Sequence, residues 1–94
     1  MSKSEVEKLN KYLASRENEL TIKLAGRKIK SVRFLSKEEA HGLGWEKRPL
    51  VLQLDNGALL YSMQDDEGND GGAMATSFKS EPTIPVIHNR YYND

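Results

Sequence analysis

The sequence predicts an α+β domain: one N-terminal helix followed by a small antiparallel five- or six-stranded barrel or curved sheet of SH3-like type. Three observations predict it. Residues 4–19 repeat apolar side chains at helical spacing, Asn56-Gly57 marks a tight hairpin, and the rest of residues 20–88 breaks into short apolar runs punctuated by Gly, Pro, Asn and Asp. Residues 89–94 form a polar, aromatic tail whose end is expected to fray. At 94 residues with 37% hydrophobic content, the chain has the length of one domain, able to bury about two thirds of its unfolded surface.

The helix opens on Ser4-Glu5-Val6-Glu7, a capping box in which the Ser4 hydroxyl accepts from an orphan amide while Glu7 reaches back to the Ser4 amide. Val6, Leu9, Leu13 and Leu20 recur at spacings that put them on one side, with Tyr12 beside them and Lys8, Lys11, Glu17 and Asn18 facing away. A stripe this light does not sustain an isolated helix, so the expectation is that it packs over an opening of the sheet. The polar face is mixed in sign, which disfavours a membrane-surface role.

Residues 20–25 alternate weakly and read as a short strand or a connector, ended by Gly26-Arg27. Ile29, Val32 and Phe34 then mark a strand whose inward register shifts, predicting a bulge near Lys30-Ser31. Ser36-Lys37-Glu38-Glu39 is a second capping box, and Gly42 and Gly44 limit its helix to one or two turns. Leu50, Leu52 and Leu54 alternate up to Asn56-Gly57, which suits a two-residue type I′ loop. That loop pairs Leu54 with Leu59, Leu52 with Tyr61 and Leu50 with Met63, all on one sheet face. Pro49 stands at the strand's first residue, where its missing amide is harmless. Residues 73–75 read as a short strand, and residues 84–87 as an edge strand because Pro85 cannot donate.

Several of these segments carry a resemblance. Gly26-Arg27-Lys28-Ile29-Lys30-Ser31-Val32-Arg33-Phe34, Glu38-Glu39-Ala40, Gly44-Trp45-Glu46-Lys47-Arg48-Pro49, Leu54-Asp55-Asn56-Gly57 and the run from Asp65 to Gly72 together resemble a group of small stand-alone bacterial proteins of unknown function. The similarity covers about residues 24–76 and is carried by Gly-Trp-x-x-Arg-Pro and Asp-x-Glu-Gly-Asn-Asp-x-Gly. It implies a bacterial cytosolic domain and no mechanism.

Composition narrows the function classes. With no cysteine, thiolate metal sites, cysteine nucleophiles and disulfides are excluded. No apolar leader or long apolar run is present, so the expected setting is the cytoplasm, without membrane insertion. Net charge is zero, but residues 1–50 carry twelve Lys or Arg against seven Asp or Glu, and residues 51–94 carry two against seven. The expectation is that the halves fold against each other and partly neutralise.

The run Asp65-Asp66-Glu67-Gly68-Asn69-Asp70-Gly71-Gly72 packs four carboxylates and three glycines behind the hairpin and marks the expected working surface. It fails as an EF-hand loop in both registers, because Asp70 or Gly68 falls where the wrong residue type is required and Thr76 or Ser77 stands where a bidentate Glu belongs. A weak, open divalent-metal site competes here with a solvated turn, and the turn is preferred. His41 and His88, the only imidazoles, show no ligand spacing. No nucleophile elbow or phosphate loop is present, so an enzyme is disfavoured and no cofactor is implied.

The candidate binding residues are Trp45, Arg48 and Tyr61 with Asp65, Asp66, Glu67, Asn69 and Asp70, since Trp, Tyr and Arg combine apolar contact with a polar handle. The competing structural reading has Trp45 plugging the core and Arg48 pairing with Asp65, Asp66 or Asp70. The functional expectation is a non-enzymatic interaction domain for a protein or small-molecule partner, monomeric or weakly dimeric. The alternative is single-stranded nucleic acid held by Arg27, Lys28, Lys30 and Arg33.

Overall fold

A computed structural model describes residues 2–89. The elements run α1 (Lys3–Leu24), β1 (Ile29–Phe34), α2 (Lys37–Leu43), β2 (Lys47–Arg48), β3 (Leu50–Leu54), β4 (Leu59–Tyr61), β5 (Met74–Ala75), β6 (Thr83–Ile84) and β7 (Ile87–His88). The architecture is α+β, a long N-terminal helix followed by small antiparallel sheets.

Helix α1 starts and ends outside its expected bounds. Its N-cap is Ser2, whose hydroxyl accepts from the Glu5 amide at 3.2 Å, and not Ser4. Ser2-x-x-Glu5 is itself a capping pattern, and the earlier cap lengthens the helix while keeping the Glu5 carboxylate in the positive first turn. At the other end the expected strand or connector at residues 20–25 is helical through Leu24, closed by the Ala25 amide on the Thr21 carbonyl at 2.8 Å. Leu20 and Leu24 continue the apolar stripe, and the propensity cost of Thr21 and Ile22 is only a few tenths of a kcal/mol each.

The expected packing of this helix on the sheet does not occur. No residue of α1 is buried, and Val6, Leu9, Leu13, Leu20 and Leu24 stay between 38% and 43% exposed. The described chain extends over 53 × 31 × 30 Å with a radius of gyration of 16.6 Å. A compact chain of this length would have a radius of about 12 Å, so the helix projects from the β region.

The main sheet has the order β1-β3-β4, with the expected irregularity between Ile29 and Ser31. Its hairpin differs from expectation by one residue. Val51 lies opposite Tyr61, Leu52 opposite Leu60 and Gln53 opposite Leu59. The loop is Asp55-Asn56-Gly57, closed by the Leu54 amide on the Ala58 carbonyl at 2.9 Å. A type I′ turn needs positive φ at both central residues, but only Gly57, at φ 87°, has it; the Asn56 side chain instead accepts from the Ala58 amide. A one-residue slip exchanges faces, so Tyr61 and Leu59 share a face with the fully buried Val51 while Leu60 and Leu52 share the other with Val32. On that other face Ile29 and Val32 are more than half exposed.

The expected barrel is not closed among the described residues. β2 pairs only with β7 and β5 only with β6, each through two residues. Residues 84–87 are not one edge strand: Pro85, without an amide, ends β6 at Ile84, and the chain rejoins a different sheet at Ile87. Pro49, fully buried, likewise separates β2 from β3. The core is a cluster of Leu35, Ala40, Trp45 and Val51, supplied by β3 and by the segment around α2. No helix among the described residues is long and apolar enough to cross a membrane. The fraying expected of the tail concerns positions that, beyond Asn89, lie outside the described residues.

Candidate functional site

The expected second capping box forms at α2. The Ser36 hydroxyl accepts from the Glu39 amide at 3.0 Å, and the Glu39 carboxylate accepts from the Ser36 amide at 2.9 Å. Arg33 adds a fork to the same carboxylate at 2.7 and 3.1 Å. Arg33 first, and the Ser36 amide next, hold the Glu39 carboxyl down from 4.5 to about 2. A carboxyl with a folded value below its unfolded one adds stability above the unfolded value and loses it as pH falls through the folded one. The unfolding midpoint is therefore expected to drop between pH 4.5 and 2, and Glu39→Gln to flatten that part of the profile. Both side chains are about 40% exposed, so the effect is small; parallel profiles for the two proteins would show that the fork adds nothing.

Gly44, at φ 75°, ends α2 in the left-handed conformation and turns Trp45 inward, with the Trp45 amide on the Ala40 carbonyl at 2.8 Å. The indole is 5% exposed and meets the Tyr61 ring edge-on at 5.9 Å between centroids. Its Nε1 donates to the Gly68 carbonyl at 2.8 Å, which fastens the acidic glycine loop over the core.

That loop organises its own carboxylates. Asp65 accepts from the amides of Glu67 and Asn69 and from the Asn69 side chain at 2.9 Å. The Asn69 side chain, followed by its backbone amide, holds the Asp65 carboxyl below its usual range. Asp70 Oδ1 accepts from the backbone amides of Lys47 at 2.9 Å and Gly71 at 2.8 Å. Asp66 and Glu67 face solvent. No group of three or more His, Asp or Glu side chains suited to a metal occurs among the described residues.

Arg48, expected to pair with Asp65, Asp66 or Asp70, has a backbone carbonyl as one partner. Arg48 is buried, and its Nε donates to the Leu35 carbonyl at 2.6 Å. The Asp70 carboxylate accepts from the backbone amide of Lys47, the residue before Arg48. Trp45 and Arg48 are thus interior groups, while Tyr61, Asp66, Glu67 and Asn69 reach the surface. In the basic segment, Arg33 is engaged by Glu39 and Arg27 lies 3.9 Å from Asp55, while Lys28 and Lys30 are exposed. His41 is exposed on α2, and His88 lies opposite Lys47.

A different surface emerges at the helix. The α1 stripe runs from Val6 to Leu24 and ends at an apolar notch of about 520 Å³ lined by Leu20, Leu24, Ala58 and Leu60 together with Arg27 and Asn56. The sequence signal for it was the Leu20–Leu24 spacing, which continues the stripe beyond residue 19. Comparisons with protein-family models, curated proteins and solved structures find no match to this chain, so geometry alone carries the functional argument.

Proposed function

We propose that this protein is a non-enzymatic interaction module whose contact surface is the apolar stripe of α1. The observation that carries this reading is that a 22-residue helix buries none of its residues. Such a helix is marginal in water by itself, and covering the stripe supplies about 1 kcal/mol or more per large side chain. Trp45, Arg48 and the loop at residues 65–72 belong to the scaffold in this reading, holding the β region as the base from which the helix projects. Nucleic acid has less support, because Glu39 and Asp55 already lie against Arg33 and Arg27.

The test replaces Leu9, Leu13 and Leu20 together with Gln in the full chain. Unfolding of the β region, followed by Trp45 fluorescence at low protein concentration, is expected to keep its midpoint, because the stripe contributes nothing to that core. A substantial fall in the midpoint would mean that the helix packs on the sheet, and would overturn the reading.

A further inference from the structure

We propose that the occupant of the α1 stripe is the α1 stripe of a second copy, in a symmetric dimer whose helices run antiparallel. The inference rests on the interaction-module reading above and names its partner. Its basis is where the helix places charge around its apolar residues.

At 3.6 residues per turn, Glu5 and Lys23 stand about five whole turns apart and so at the same angle beside the stripe. Tyr12 and Arg16, one turn apart, line that same flank, while Asn10 and Glu17 line the opposite one. Two antiparallel helices with Leu13 of each near the two-fold axis bring Leu9 against the partner's Leu20, and Val6 against the partner's Leu24. In that one register Glu5 meets the partner's Lys23, Tyr12 meets the partner's Arg16, and Asn10 meets the partner's Glu17, each twice by symmetry. A parallel pair instead sets each flank against the partner's opposite flank, so Glu5 and Lys23, which share a flank, no longer meet across the seam.

The fold leaves room for the antiparallel arrangement. The notch beside Leu20, Leu24 and Leu60 opens at the C-terminal end of the stripe, where the partner's Val6 and the turn around it arrive. A helix of this length is about 33 Å long, and two such seams bury on the order of 1,200 Å² in total, at the lower limit for a specific complex. The expected dissociation constant is on the order of micromolar, with exchange between monomer and dimer.

The experiment is sedimentation of the full chain with charge-exchanged variants, each checked for a native Trp45 fluorescence spectrum. Wild type is expected to dimerise, and Leu13→Gln to be monomeric. Glu5→Lys and Lys23→Glu should each weaken the dimer by on the order of tenfold, and the double variant should recover most of the loss. Each single change has the wrong sign for its own helix end, and the two residues are about 27 Å apart on one helix, so recovery requires contact between copies. Because the chain has no cysteine, Leu9→Cys reports orientation. It should cross-link to Leu20→Cys in a mixture and not to itself. A monomeric wild type, a dimer that survives Leu13→Gln, absence of recovery in the double variant, or self-cross-linking by Leu9→Cys would each overturn the proposal. A monomeric wild type whose β region ignores the helix substitutions overturns only the second copy and leaves another protein as the occupant.

Discussion

Trp45→Ala is expected to destabilise the protein by about 3–5 kcal/mol, the range for removing a large aromatic from a core that cannot collapse around the hole. Among the described residues the core cluster has four members, and Trp45 is by far its largest. Three contacts go with the indole: the packing against Leu35, Ala40 and Val51, the edge-on Tyr61 ring, and the bond to the Gly68 carbonyl. The last connects stability to the loop. Amide exchange at residues 68–72 should accelerate in this variant more than in Trp45→Phe, which keeps most of the apolar volume while also losing the hydrogen bond. Denaturant titration and exchange measure the two effects; a loss under about 1 kcal/mol would show that the loop and α2 close over the gap.

Gly71→Ala is expected to cost about 3 kcal/mol or more, since the new methyl would overlap two rigid neighbours. A Cβ there would sit 2.6 Å from Pro49 Cδ and 2.8 Å from the Lys47 carbonyl oxygen, with Pro49 fully buried. Neither neighbour is the far end of a flexible side chain. Gly72 is equally tight, with the Met63 carbonyl oxygen at 2.6 Å. Gly42 provides the internal control, because it lies in α2 with nothing within 4 Å of its missing Cβ. Gly42→Ala should stabilise by up to about 1 kcal/mol through helix propensity. Thermal unfolding of the two variants separates close backbone approach from ordinary glycine flexibility. Equal effects would show that the glycines at 71 and 72 serve only as turn formers.

The run at residues 65–72, which holds those tight glycines, was recognisable as a special loop from its composition, but its chemistry read as surface chemistry. Carboxylates crowded in sequence look like a ligand set or a solvated turn. Asp65 accepts from amides within the loop, but Asp70 also finds the Lys47 amide from 23 positions away. Arg48 is the complementary case. Its charge and position beside the hairpin predicted an ion pair with the loop, and the fold buries it with its Nε on the Leu35 carbonyl, 13 positions back in the chain.

What the sequence determined by itself was the local grammar: a helix where the apolar period is 3.6, a capped short helix at Ser36, a bulge after Ile29, and a hairpin at Asn56-Gly57. Each depends on the backbone preferences of adjacent residues, and few long-range contacts compete with them. The tertiary structure alone decided the hairpin register, which buries Val51 and puts Tyr61 beside Trp45, and the splitting of the strands among the described residues into separate sheets. It alone decided that α1 projects uncovered. The physical reason is that a periodic pattern specifies that a face is apolar but not what meets it. That choice is a difference in burial free energy between surfaces far apart in the chain, and a local window of sequence contains only one of them.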